Sequence, residues 1–281
     1  MLRLENVRKQ YKDFELDITM EVKPGYVTGL IGRNGAGKTT AFKAGLGLIR
    51  TEGEITLFGK PLRQIDARDR EKTGVVLADS GFSGYLKVKD LVVILRNLYR
   101  EFNEMYFTDK CKEFDIPFDK QIKEFSTGMK RRLQVVAALS HNAELLIMDE
   151  PTAGMDVIAR DELLAMLREY METEGRSVLI SSHISGDLEG ICDDIYMIDG
   201  GKVIFHEETD VLLDQYGILK VTKEQYETLD KSFILRQREE EFGVSCLTKE
   251  KQFYLENYPD VVVEKGSVDG VMTMMIRGES R

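Results

Sequence analysis

The sequence predicts an α/β fold, with one large domain on a mostly parallel sheet and a small α+β unit behind it. Three observations carry that expectation. Up to about Glu207, short β-branched runs alternate with amphipathic helical stretches, the pattern of strands joined by crossover helices. A glycine-rich loop, residues 32–40, closes one apolar run and opens a helical one. From about Thr209 the elements become short and mixed, which sets that end of the chain apart.

Taken in order, Val7 to Glu21 alternates like antiparallel strands, and Pro24-Gly25 supplies the turn after them. Val27-Thr28-Gly29-Leu30-Ile31 reads as a short buried strand, and Ala41 to Leu48 as a helix. Between them lies Gly32-Arg33-Asn34-Gly35-Ala36-Gly37-Lys38-Thr39-Thr40, of the form G-x-x-x-x-G-K-[ST]. The glycines let the backbone turn tightly, so that successive N–H groups converge on phosphate oxygens. Lys38 adds a point charge for the β and γ phosphates, and the Thr39 hydroxyl is placed to ligate Mg²⁺. The helix N-terminus that follows favours the same anions.

A helical insertion is expected over about 84–140. Val88 to Tyr99 and Met105 to Phe114 carry helical spacing, with Pro117 in the links. Ser126 is a good N-cap for a further helix through Val135, Val136 and Leu139, with Lys130, Arg131 and Arg132 on its solvated side. Leu145-Leu146-Ile147-Met148-Asp149-Glu150 is an apolar strand ending in two acids. Asp156 to Thr173 is another helix, stopped at Gly175. The boundary is expected at 208/209. Beyond it come a short helix, Asp210 to Tyr216, closed by Gly217, and a strand, Ile218 to Val221. Thr222-Lys223-Glu224-Gln225 is a capping box that starts a helix. Strands at Phe233–Arg236, Val244–Leu247 and Val261–Val263, a helix around Lys249 to Asn257, and a last helix after Ser267 complete an α+β unit over 209–281. Glu239-Glu240-Glu241 reads as a solvated edge.

Bulk composition excludes some classes of function. The 281 residues carry 39 basic and 49 acidic side chains, a net charge of −10, against the basic face that nucleic-acid binding needs. No apolar run approaches a membrane span, and Met1-Leu2-Arg3-Leu4-Glu5 does not begin a signal peptide. Cys111, Cys192 and Cys246 lie far apart without C-x-x-C spacing, which reads as reduced thiols in a cytoplasmic protein.

The remaining motifs sharpen the chemistry. A buried strand that delivers an Asp to its end can hold Mg²⁺ there, and the adjacent Glu suits polarisation of an attacking water. Phe125-Ser126-Thr127-Gly128-Met129-Lys130-Arg131-Arg132-Leu133 makes a second helix N-terminus with a serine and a glycine, a second anion site that one nucleotide does not need within one subunit. Ser-x-Gly-x-x-x-Arg-Leu, between a phosphate loop and an Asp-Glu strand end, resembles the signature of ABC-type ATPases. Gly154-Met155-Asp156, after Pro151-Thr152-Ala153, resembles the family's loop that reaches across a dimer interface. Ile180-Ser181-Ser182-His183 resembles its switch histidine at a strand end, and Tyr11 its adenine-stacking aromatic. The resemblance covers nearly all of 1–210.

It implies an ATPase of the phosphate-loop class with a mixed sheet, an antiparallel β edge and a helical insertion. ATP and Mg²⁺ are its cofactors. Lys38, Glu150 and His183 would be catalytic, residues 32–40 and Tyr11 would bind ATP, and Thr39 and Asp149 would hold the metal. Ser126, Thr127, Gly128 and Asp156 would act on the ATP of a second subunit. That subunit, the same chain or a related one, would be arranged head to tail. Partners would be separate transmembrane permease subunits, with the chain peripheral on the cytoplasmic face of the membrane and no nucleic acid involved. The short insertion and the extra C-terminal unit resemble ATPases of bacterial exporters that move antibiotics, lipids or other amphiphiles.

Two departures from the family pattern stand out. The usual Gln that touches Mg²⁺, counted from Gly74, is Ala78 here, leaving Asp79 as its stand-in. Thr127 and Met129 replace a more common Gly and Gln. The alternative is a soluble ABC ATPase acting on the ribosome or another macromolecular complex, but ribosomal relatives carry two ATPase units in tandem. Chromosome-type relatives carry long coiled coils between Lys38 and Asp149. A metabolic kinase gives no reason for Ser126 to Gly128 or His183.

Overall fold

A computed structural model describes residues 1–279. The chain opens on three strands, β1 (Leu2–Gln10), β2 (Glu15–Val22) and β3 (Val27–Ile31), followed by helix α1 (Lys38–Gly45). β4 (Glu52–Leu57), β5 (Lys60–Pro61), α2 (Ala67–Glu71) and β6 (Thr73–Val76) come next. The helical stretch is α3 (Val88–Leu98), α4 (Glu104–Glu113) and α5 (Thr127–Leu139). β7 (Leu145–Asp149), α6 (Val157–Met171), β8 (Ser177–Ser181), α7 (Ser185–Glu189), β9 (Asp194–Asp199) and β10 (Lys202–Glu208) complete the first part.

These strands form one ten-stranded sheet in the order β5-β4-β1-β2-β10-β9-β3-β8-β7-β6. From β9 to β6 the neighbours are parallel, whereas β5, β4, β1 and β2 pair antiparallel at the other edge. β3, β7 and β8 are buried along their whole length, which is why they read as continuous apolar runs rather than alternating ones.

The last part holds α8 (Thr209–Gln215), β11 (Gly217–Val221), α9 (Lys223–Thr228), β12 (Ile234–Glu240), β13 (Gly243–Thr248), α10 (Lys251–Asn257), β14 (Val262–Lys265) and α11 (Val268–Arg277). Its four strands make a separate antiparallel sheet, β12-β13-β11-β14. The capping box at Thr222 forms as the sequence implies, with Thr222 Oγ1 accepting from the Gln225 N–H at 3.1 Å.

Several expected boundaries move, two of them at glycines. α1 stops at Gly45 rather than Leu48, because Gly47 turns left-handed at φ 69° and leaves Leu48 exposed. Gly217 does not close α8 but opens β11, where a Cβ would lie only 3.0 Å from Lys251 and 3.1 Å from Val263.

The two sheets are not joined by a free linker. One apolar cluster runs from Leu188, Cys192 and Met197 beside the large sheet into Leu212, Ile218, Val268 and Val271 of the last part. Burial of that shared cluster, at about 25 cal/mol per Å² of apolar surface, ties the two parts together. A second cluster packs α1 against β1 and β2, and a third holds the helical insertion around Phe107 and Leu133.

Candidate nucleotide site

The parallel strands bring their carboxyl ends to one edge of the sheet, the place where open α/β sheets collect their chemistry. β3 delivers the phosphate loop, β7 delivers Asp149 and Glu150, and β8 delivers His183. The next strand, β6, delivers the segment at Leu77 to Ser80.

The loop closes tightly. A Cβ on Gly32 would sit 2.3 Å from the Ile198 carbonyl oxygen, so only glycine fits there. Gly37 takes φ 113° and turns the chain into α1, so that Lys38 and Thr39 form its first turn; the helix begins three residues before the expected Ala41. Lys38 is buried, and its Nζ donates to the Gly32 carbonyl at 2.7 Å and lies 3.6 Å from Glu150 Oε1.

The two acids differ in their surroundings. Asp149 is fully buried, and its carboxylate accepts from two hydroxyls, Thr39 Oγ1 at 2.5 Å and Ser181 Oγ at 2.6 Å. Neither hydroxyl neutralises the charge. A buried carboxylate with oxygen neighbours is a donor set that a hard dication fits, so Mg²⁺ is compatible with the residues present. Glu150 sits in the left-handed region at φ 52°, a conformation costing about 1 kcal/mol for a residue with a Cβ. Its N–H donates to Ser181 Oγ at 3.0 Å, which helps to hold that turn.

Glu150 Oε2 accepts from the His183 N–H at 3.1 Å and lies 2.5 Å from the His183 ring Nδ1. An ionised carboxylate can only accept, so Nδ1 is the donor in this contact. Lys38, Thr39, Asp149 and Glu150 thus meet around one cleft, with His183 joined to it through Glu150. Its volume is about 340 Å³, and Arg33, Asn34, Gly35 and Thr40 also line it.

Other expected residues lie elsewhere. Tyr11 stands 42% exposed, its ring centroid 6.1 Å from that of Phe14 and 5.6 Å from the Lys9 ammonium. Phe14, not singled out in the sequence, lines the cleft beside Gly37. Ala78 lines the cleft, but Asp79 turns to Lys43 in an ion pair at 2.5 Å. The Lys43 hydrogen bond holds the Asp79 carboxyl below its ordinary value and raises the lysine in return. The structure therefore does not bring Asp79 to Thr39 and Asp149.

Ser126, Thr127 and Gly128 do not line the cleft of their own chain. Ser126 caps α5 by accepting from the Met129 N–H at 3.2 Å and is exposed with Thr127. Gly128 abuts Gly154, whose carbonyl oxygen would lie 3.0 Å from a Cβ there. Asp156 caps α6, accepting from the Ala159 N–H at 2.9 Å. Thr127 and Gly128 thus abut the Gly154 turn that precedes Asp156, and none of the four residues lines the cleft.

The placement of Arg131 corrects the solvated reading. It is buried, and its guanidinium donates to the Leu77 carbonyl at 2.8 Å, the Ala78 carbonyl at 3.3 Å and Gln134 Oε1 at 3.0 Å. Gln134 donates in turn to the Ser80 carbonyl at 2.6 Å. Two side chains of α5 therefore fasten the segment after β6. Their i, i+3 spacing put them on one helix face, a signal legible in the sequence but masked by the run of basic residues. Ser181 was missed as well, since a lone serine at a strand end carries no pattern.

Comparison with known proteins fits this geometry. Residues 16–153 match the family described as ABC transporter. The chain is 34% identical, over 76% of its length and 73% of the relative's, to the Nod factor export ATP-binding protein I of Cupriavidus metallidurans. It is 33% identical, over 73% of its length and 68% of the relative's, to the linearmycin resistance ATP-binding protein LnrL of Bacillus subtilis. Its fold resembles the dimeric post-hydrolysis ATP-binding cassette MJ0796 with ADP and Pi, at a TM-score of 0.66 and 20% identity, covering 74% of this chain and 99% of that one. A phosphate loop, a buried Asp-Glu strand end and a histidine on that Glu, in a chain so related, identify an ATP-hydrolysing ABC ATPase, and the chain belongs to the family of ABC transporter ATP-binding subunits.

Proposed function

We propose that two copies of this chain, or one copy and a close relative, close head to tail around two ATP molecules and drive a separate membrane permease. The observation that carries this reading is the split arrangement. The cleft at Lys38 has its own lysine and acids, with a histidine bonded to one of them, while the second helix terminus at Ser126 to Gly128 is exposed and does not line it. One chain would hold the β and γ phosphates on residues 32–40. The other would close on the γ-phosphate with Ser126, Thr127 and Gly128, while Asp156 and its loop meet the first chain across the interface.

Within the cleft, Lys38 leaves Gly32 and Glu150 for the phosphates when ATP enters. Glu150 orients and polarises the attacking water, and His183 holds Glu150 through Nδ1 and would meet the γ-phosphate by donating an Nε2–H to one of its oxygens. Thr39 and Asp149 would hold Mg²⁺, which supplies charge neutralisation on the phosphate oxygens when bound. Tyr11 and Phe14 stand at the side where adenine would stack.

Residues 1–208 would be the engine and 209–281 an accessory unit. No helix among the described residues is long and apolar enough to cross a membrane, and in this reading closure would be passed to a separate permease. The named relatives act in export or resistance, which supports outward movement of an amphiphile such as an antibiotic or a lipid by a complex on the cytoplasmic face. The test is to purify the chain from membranes with its associated proteins and measure ATP hydrolysis. Co-purification of a polytopic membrane protein that stimulates hydrolysis is expected. Stimulation by ribosomes and not by membranes would overturn the transport reading.

A further inference from the structure

We infer that the last part of the chain positions the hydrolytic residues, acting through the short helix α7. The inference rests on the roles proposed above for Glu150 and His183. α7 begins two residues after His183 and is tied on both sides. On the side of the cleft, the buried Asp187 carboxylate accepts from Thr152 Oγ1 at 2.9 Å and Ser182 Oγ at 3.4 Å, and pairs with Arg160 Nε at 3.1 Å. Thr152 follows Glu150 by two residues, and Ser182 directly precedes His183. One carboxylate thereby fastens both loops whose side chains meet at 2.5 Å in the cleft.

On the opposite side, α7 reaches the last part of the chain. Glu189 Oε1 accepts from the Val268 N–H at 2.7 Å, one of the donors that the first turn of α11 leaves without a helical partner. Leu188 and Cys192 pack in the same apolar cluster as Val268, Val271 and Met274. A charged acceptor at a helix N-terminus is favoured also by the helix dipole, so α11 is held at that point and α7 with it. Displacement of α11 has a short route to the Glu150–His183 contact, through Glu189, α7 and Asp187. Glu189 and Asp187 are positioning residues; neither touches the cleft.

The test uses the full chain and its ATPase kinetics. Glu189→Ala removes the acceptor, whereas Glu189→Gln keeps a carbonyl oxygen at the same reach. We expect Glu189→Ala to lower kcat by about five-fold with KM for ATP within about two-fold of wild type, the signature of an interaction felt at the chemical step. Glu189→Gln should restore most of the loss. Hydrogen exchange of the amides over 182–190 should quicken in Glu189→Ala and not in Glu189→Gln, a readout that needs no hydrolysis. Unaltered kcat together with unaltered exchange in Glu189→Ala would overturn the inference. His183→Ala separates the two readings. Loss of hydrolysis there, beside a wild-type Glu189→Ala, leaves the site standing and removes only the role of α7.

Discussion

The helix N-termini of α1 and α5 both combine glycine with a threonine hydroxyl, and they are finished differently. At α1 the terminus is furnished with partners: Lys38 is buried, Thr39 is bonded to Asp149, and Glu150 lines the cleft with His183 bonded to it. At α5 the terminus is open: Ser126 and Thr127 are exposed, and Gly128 abuts the Gly154 carbonyl. An anion at α1 finds a cation and a set of acids that only a metal-bound polyphosphate would satisfy. An anion at α5 finds N–H groups and the hydroxyls of Ser126 and Thr127, enough to complete a site and too little to make one. Under the proposed function, the difference assigns the catalytic groups to one terminus and the closing contacts to the other.

The largest effect that tests this contrast comes from each terminus in turn. Glu150→Gln should reduce hydrolysis by about 10³-fold while ATP binding persists, because it removes the base and keeps the shape. Ser126→Arg should reduce hydrolysis by about 10²-fold with ATP affinity of the isolated chain within about two-fold of wild type, a loss at the chemical step alone. A fall in ATP affinity with Ser126→Arg would place both termini on one nucleotide of one chain and erase the distinction.

An intermediate effect concerns the junction between the two sheets. Burial pushes the Glu207 carboxyl up, but hydrogen bonds from Lys249 at 2.6 Å and Tyr216 at 3.0 Å outweigh it and hold the group below its ordinary value of 4.5. The folded value is depressed, so the contribution is complete above that ordinary value and is lost as pH falls through the folded one. Docking of the last part on β10 should weaken on acidification below pH 4.5, read by exchange of the amides over 209–216. Glu207→Gln should flatten that acid response.

The smallest effect comes from Asp79. Its pair with Lys43 is exposed, and such pairs contribute about 0–1 kcal/mol. Asp79→Asn should leave hydrolysis and its Mg²⁺ requirement within about two-fold of wild type, as for any exposed pair. A steep rise in the Mg²⁺ needed would return Asp79 to the metal.

Much of this was legible in the sequence, and the reasons for what was not are physical. The phosphate loop, Asp149, Glu150 and His183 could be found because each sits at the end of a buried strand, and a continuous apolar run marks that end. Elements of the last part were readable where caps announced them, as at Thr222 and Ser267. Contacts made by single polar residues across the fold were not. Arg131 looked like one of three surface cations because periodicity gives a face and not the carbonyls that face it. Ser181 and Asp187 act through neighbours far away in the chain, which no local pattern records. The shared cluster of Leu188 with Val268 was hidden for the same reason, since a boundary in composition at 208/209 does not say how two parts pack.

The central claim is that a working site takes its catalytic groups from one chain and its closing contacts from another. The most direct measurement is the mass of the Glu150→Gln protein by sedimentation, with and without ATP and Mg²⁺, alone and with Ser126→Arg added. The account predicts that ATP doubles the mass of Glu150→Gln and that Ser126→Arg abolishes the doubling. A mass unchanged by ATP, or a doubling indifferent to Ser126→Arg, would contradict it.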